Sequence, residues 1–350
     1  MRALVLKEVG TLVYDTQAAR PVLQKDEVLL RVCASGICGS DLARVFEKGT
    51  YSMPMIPGHE FAGRIEEVGP GVDSGLVGRR AAVFPMLPCM RCASCARGEY
   101  ETCKAYSYYG SRRDGGFAEY CAVKTWNLVF LDDGISYEEG AMMEPAAVAV
   151  HALRRANIGI GDTVGIAGAG PIGLMLASWA GLAGASRILL WDIDERKISF
   201  AREMGFEAIS SLKEDPADYI GRITGGRGMD ICVEGAGVPQ TLGQCILAAA
   251  IGGRVVTMGN PAGKMTLEQH TYWEILRKQI SLTGTWNSSY AQHGSDWRLA
   301  LEAMGSGRLN VRRFITHRCG LSDGIAPFEM MRERAVFYNK VMFIIQEDRS

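Results

Sequence analysis

Apolar and polar positions follow two different rhythms along this chain. Up to about residue 145, short apolar or alternating runs punctuated by Gly and Pro predict brief strands: EVLLRVCASGI (27–37), HEFAGRIEEVG (59–69), RRAAVFPM (79–86) and GFAEYCAV (116–123). A mostly β, barrel-like or sandwich domain follows. From about 148, short apolar runs alternate with helix-length segments. VGIAG, RILLWDI, EAISS, MDICVEG, GRVVTMG and ISLTGTW predict six parallel strands, separated by stretches such as PIGLMLASWAGLAGA, DERKISFAREMG, PQTLGQCILAAAI and TYWEILRKQ. Such alternation predicts a doubly wound α/β domain with a six-stranded sheet. After about 287 the alternation stops, and YNKVMFIIQ (338–346) predicts one more strand that rejoins the first domain. The expected division is a first domain made of 1–147 and 287–350, with a second, 148–286, inserted into it.

Composition narrows the function classes. At 350 residues the chain exceeds what one hydrophobic core usually supports, which agrees with two domains. The formal net charge is −1 and no basic run stands out, so nucleic acid is not an expected partner. The N-terminal MRALVLKEVGTLVYD reads as a strand rather than a signal peptide, and no apolar run approaches the ~20 residues that span a bilayer. A cytoplasmic protein is expected, where clustered cysteines serve as metal ligands more often than as disulfides.

Four of the ten cysteines, Cys89, Cys92, Cys95 and Cys103, follow a C-x2-C-x2-C-x7-C pattern. Four thiolates close a tetrahedron around zinc and leave substrate no open position; an iron–sulfur cluster uses similar spacing and is the alternative. A metal that meets substrate therefore needs other donors. Cys38 in GICGSD, His59 in PGHEFAG and Glu144 in MMEPAAV are the candidates, because one sulfur, one imidazole and one carboxylate leave a fourth position open. Cys33, Cys121, Cys232, Cys245 and Cys319 read as small buried apolar residues.

A second motif, VGIAGAGPIG (164–173), sets Gly168, Gly170 and Gly173 in GxGxxG spacing after a predicted strand, with Pro171 and Ile172 opening the helix. The glycines suit a tight turn, close approach of a pyrophosphate and close helix packing. Asp192 ends the next strand nineteen residues after Gly173, where a carboxylate holds ribose hydroxyls and repels a 2′-phosphate, favouring NAD over NADP. Lys197 either covers the adenine ribose or is an ordinary solvated helix lysine.

GICGSD, GHEFAGRIEEVGPGV, the four-cysteine loop, DGGFAEY, the Glu-Pro pair at 144–145 and GAGPIG together resemble, in order and over essentially the whole chain, the zinc-containing medium-chain dehydrogenases. The resemblance implies a GroES-like catalytic domain interrupted by a Rossmann domain, two Zn2+ per chain (one catalytic, one structural), NAD, and a homodimer or homotetramer. Glu144, where alcohol dehydrogenases carry a cysteine, is similar to the sorbitol dehydrogenase branch. GSRRDGGFAEY, AGVPQT and LRKQISLTGTWNSSY resemble its polyol-phosphate enzymes, which implies oxidation of galactitol 1-phosphate to tagatose 6-phosphate. A free-polyol dehydrogenase and a silent NAD-binding zinc scaffold are the alternative readings.

Residue roles follow from the same resemblance. Ser40 matches a hydroxyl that relays the alcohol proton, Asp41 is expected to orient His59, and Glu60 to sit beside the catalytic zinc. The relay departs from the family where a His is common: here Ala43 stands. Arg112 and Arg113 are candidates for binding the substrate phosphate by bidentate hydrogen bonds, with a structural salt bridge as the alternative.

Overall fold

The computed structural model describes residues 1–290 and 295–346 and divides the chain into two units, Met1–Glu144 with Ser289–Ser350, and Pro145–Ser288.

In the first unit, the eleven-residue strand Glu27–Ile37 is the organising element, buried along nearly its whole length. It pairs antiparallel with Glu60–Val68, with Tyr120–Lys124 and with Lys340–Ile344, so the predicted C-terminal strand does lie against the N-terminal region. The sheet continues from Glu60–Val68 through Arg80–Val83 to Leu128–Phe130, and Ile315–Cys319 closes its other side. Phe117, Phe328 and Phe343 are fully buried and pack ring against ring, with centroids 5.2–6.1 Å apart. Such aromatic packing fastens the returning segment by apolar burial as well as by the ladder.

In the second unit, six strands pair in parallel in the order Glu207–Ser210, Arg187–Asp192, Thr163–Ala167, Met229–Glu234, Ala249–Thr257, Ser281–Gly284. This is the doubly wound order, with the topological switch beside Thr163–Ala167. All five residues of that strand are buried, as a parallel strand covered on both faces must be. One expected helix is shorter than its pattern: PQTLGQCILAAAI ends at Ala248, and Ala249–Ile251 joins the following strand, where Ala249 pairs with Met229. Helix propensity in the alanine run yields there to sheet pairing. No helix among the described residues is long and apolar enough to cross a membrane.

Candidate active site and metal centres

The glycine motif forms the turn that its spacing predicts. Gly168 has φ +109°, and a Cβ on Gly173 would overlap the Gly168 carbonyl, so neither position tolerates a side chain. Gly170 caps the helix Pro171–Leu182, and nothing lies within 4 Å of where its Cβ would be. The open space at this helix N-terminus, with Pro171 at the first helical position and Ile172 after it, suits a pyrophosphate. Asp192 Oδ2 accepts from Ala169 N at 2.9 Å and lies 3.6 Å from Lys197 Nζ; Oδ1 accepts from Asp194 N at 3.0 Å. The carboxylate is thus held at the strand end beside the glycine turn. Sequence reasoning missed Glu234, which is buried at the next strand end. Its Oε1 accepts from Ala236 N, Gly237 N and Thr241 Oγ1 at 2.7–2.8 Å, and its carbonyl accepts from Met258 and Gly259 N. One residue fastens two loops there, the first through its carboxylate and the second through its carbonyl.

Among the thiols of the first unit, Cys89, Cys92, Cys95 and Cys103 converge. Their sulfurs stand 3.9 Å (Cys89 to Cys95), 3.5 Å (Cys92 to Cys95) and 3.9 Å (Cys92 to Cys103) apart. Zn–S bonds of about 2.3 Å in a tetrahedron require S···S edges of about 3.8 Å, so this donor set fits zinc. Local hydrogen bonding favours the thiolate at one of the four: the Cys95 backbone N–H and then its thiol draw the Cys92 thiol down to about 6, whereas burial and then the Cys92 thiol push Cys95 up to about 12.

A second group of donors, Cys38, His59 and Glu60, lies within 4.8 Å. Cys38 caps the short helix Gly39–Ala43 just past the strand Glu27–Ile37, and Glu60 opens the neighbouring strand opposite Gly36. Strand register, not sequence proximity, brings them together. Asp41, fully buried, orients both partners: Oδ2 accepts from Cys38 N at 3.0 Å, and Oδ1 lies 3.4 Å from His59 Nδ1. Arg44 Nη1 donates to Asp41 Oδ1 at 2.6 Å and to Ser40 Oγ at 3.0 Å. Burial pushes the Asp41 carboxyl up, but His59 and Arg44 outweigh it and hold it well below the usual carboxylate range.

The carboxylate in this group is Glu60, which the sequence reading expects beside the metal, rather than Glu144, which it expects as a donor. Glu144 stands nearby, buried, and accepts from the Tyr108 hydroxyl at 3.3 Å; burial first, then Glu60, push its carboxyl up to about 7. Glu60 reaches the Cys38–His59 pair because Gly36 leaves the room: a Cβ there would overlap Glu60 Oε2. It is balanced by Lys340 Nζ, in an ion pair whose side chains are 1% and 4% exposed. Lys340, from the C-terminal strand, had no local motif to announce it.

Arg112 and Arg113 part company. Arg113 donates to the buried Glu27 carboxylate at 2.9 Å. The Arg112 guanidinium lies between two tyrosine rings, 4.1 Å from the Tyr51 centroid and 4.3 Å from that of Tyr106.

Comparison with known proteins agrees with this geometry. Residues 24–133 match the model of the alcohol dehydrogenase GroES-like domain, and 171–306 that of the zinc-binding dehydrogenases. Galactitol 1-phosphate 5-dehydrogenase of Escherichia coli strain K12 is 34% identical over 317 residues, covering 90% of this chain and 92% of that protein. Sorbitol dehydrogenase of Bacillus subtilis strain 168 is 32% identical over 332 residues, 92% of this chain and 91% of its own. The crystal structure of galactitol-1-phosphate dehydrogenase from Escherichia coli superposes with a TM-score of 0.91 at 32% identity, covering 98% of this chain and all (100%) of that one. The glycine turn with its acidic strand end, two sets of metal donors and a likeness spanning both units place the chain in the zinc-containing medium-chain dehydrogenase family, as an NAD- and zinc-dependent polyol dehydrogenase.

Proposed function

We propose that the chain transfers a hydride from a secondary alcohol of a polyol phosphate to NAD, with galactitol 1-phosphate as the preferred substrate and tagatose 6-phosphate as product. The carrying observation is the convergence of Cys38, His59 and Glu60 beside buried Asp41 and Lys340. Bound zinc supplies a Lewis acid that lowers the pKa of a substrate hydroxyl, and bound NAD supplies the hydride acceptor. Cys38 and His59 hold the metal with Glu60 or Glu144 as third donor; Cys89, Cys92, Cys95 and Cys103 hold the structural ion. Asp41 fixes the His59 tautomer. Ser40 takes the alcohol proton; its oxygen also accepts from Arg44, which anchors it where Ala43 offers no imidazole. Gly168, Gly170, Pro171, Ile172 and Gly173 receive the pyrophosphate, and Asp192 with Lys197 the adenine ribose.

The 32% identity to a sorbitol dehydrogenase supports a second reading, oxidation of an unphosphorylated polyol. Initial rates of NAD reduction on galactitol, galactitol 1-phosphate, sorbitol and xylitol separate the two. The expected result is a kcat/KM for galactitol 1-phosphate at least roughly tenfold above the others, the scale of one charge-assisted hydrogen bond. Equal or better turnover of sorbitol or xylitol overturns the phosphate reading.

The chain is proposed to work in the cytoplasm, where its ten cysteines remain thiols. A homodimer, or a tetramer of such dimers, is proposed through the edge strand Ser281–Gly284. Leu282 is 46% exposed on that strand, and Trp273, Leu276 and Trp286 are also exposed, a set that an unpartnered edge would leave open to aggregation. Light scattering of Leu282→Lys against the parent tests this: an unchanged mass removes the edge from the interface.

A further inference from the structure

Two adjacent arginines follow the thiol loop, and their circumstances differ. Arg113 is spent on structure: Glu27, whose side chain is 2% exposed, accepts from it at 2.9 Å and also lies 3.4 Å from Lys124 Nζ. Arg112 has no carboxylate partner among the described residues. Its Nη1 donates to the Tyr106 carbonyl at 2.5 Å and its Nη2 to the Tyr51 hydroxyl at 3.0 Å, while both rings cover its faces. Five N–H groups radiate from a guanidinium. Two are used, and among the described residues the rest are unclaimed.

The backbone makes this a fixed cation. Arg112 N donates to the Tyr108 carbonyl at 2.9 Å, and Tyr51 N to the Ser111 carbonyl at 3.1 Å, which ties the two ring-bearing loops together. Most of the rotamer entropy that a free arginine loses on binding is already lost here. The direction of the site is equally defined. Tyr106 lies 6.1 Å from Tyr108, and Tyr108 5.8 Å from His59 of the metal-donor group, so a file of rings runs from those donors to the guanidinium.

We propose that Arg112, held between Tyr51 and Tyr106, is the subsite for the terminal phosphate of the substrate, and that Arg113 is not. This inference rests on the polyol-phosphate reading and deepens it. In a hexitol phosphate the phosphate and the reacting hydroxyl lie towards opposite ends of the carbon chain, as the guanidinium and the metal donors lie at opposite ends of the ring file. A phosphate dianion would receive the unclaimed N–H groups in the bidentate geometry that guanidinium supplies.

The test uses zinc-loaded enzyme and compares kcat/KM for galactitol 1-phosphate with that for galactitol in the parent, Arg112→Ala, Arg112→Lys and Arg113→Ala. Calorimetric binding of galactitol 1-phosphate in the presence of NADH gives a readout apart from turnover. Arg112→Ala is expected to reduce the preference for the phosphorylated substrate about 30-fold, mainly through KM, and to weaken binding in parallel. Arg112→Lys, which keeps the charge without the fork and provides for the case in which the alanine variant does not fold, should lose about fivefold. Arg113→Ala should lower the melting temperature and leave the preference in place. A parent enzyme that prefers the phosphate, with Arg112 variants that keep that preference, overturns the subsite and leaves the proposed substrate standing. A parent with no preference overturns both.

Discussion

The two metal-donor groups of the first unit are built in opposite ways. Cys89, Cys92, Cys95 and Cys103 come from one stretch of fifteen residues and a single-turn helix, Ala93–Ala96, with four like donors already near tetrahedral spacing. Cys38, His59 and Glu60 come from the ends of two strands and depend on Asp41, Arg44 and Lys340 for orientation and charge balance. Four thiols of the first group would saturate an ion, which would then only brace the chain. The second mixes donor types, would leave a coordination position open with three donors, and is embedded in a buried network of charges. Rigidity can be written locally, whereas reactivity here is assembled from distant parts.

The largest expected effect comes from the assembled centre. Cys38→Ser should lower kcat/KM about a thousandfold or more while the melting temperature moves by only a few degrees and one zinc remains per chain, as read by metal analysis. If activity survives, the distinction between the two groups collapses.

Next in size is the buried charge pair. Lys340→Met strands Glu60 and should destabilise the protein by about 3 kcal/mol in chemical denaturation, with much of that recovered in the Lys340→Met, Glu60→Gln double variant. An additive double-mutant cycle would show that Lys340 acts through something other than Glu60.

For the local group the expectation is reversed. Cys95→Ser should remove one zinc and lower the melting temperature by roughly 5 °C, yet the folded fraction should keep most of its kcat. Loss of turnover in step with that zinc would mean that the thiol loop also shapes the reactive centre.

The smallest effect concerns Glu27, which anchors Arg113 behind that loop. Burial raises its carboxyl, but the Gln24 N–H and Arg113 outweigh this and hold it below its ordinary 4.5. A carboxyl lowered in the fold stabilises above its unfolded value, and that stabilisation disappears as pH falls through the folded one. Below about pH 4.5, the parent should therefore lose thermal stability more steeply than Glu27→Gln, a difference of order a few degrees. Parallel slopes would deny Glu27 that role.

Local patterns were legible, and distant compensation was not. The thiol loop and the glycine turn announce themselves because their geometry is set by neighbours in the chain. The six parallel strands were legible from their apolar runs for the same reason, although the Ala248–Ala249 boundary was not, since an alanine run suits either state until Met229 pairs with it. Cys38, His59, Asp41 and Glu60 could be named from motifs, but how close Glu60 comes to the Cys38–His59 pair depends on the space above Gly36, which no spacing rule reveals. Lys340 and Glu234 carried no motif at all. Their importance comes from being buried beside groups that fold next to them.

The pairing of Lys340–Ile344 with Glu27–Ile37 has a consequence for biosynthesis. A ribosome emits the thiol loop early, and that loop contains every donor it needs. Glu60, by contrast, must wait for its counter-charge until Lys340 has been made, so newly made protein should acquire its bracing ion first and become competent for chemistry only after the strand Lys340–Ile344 has joined the sheet.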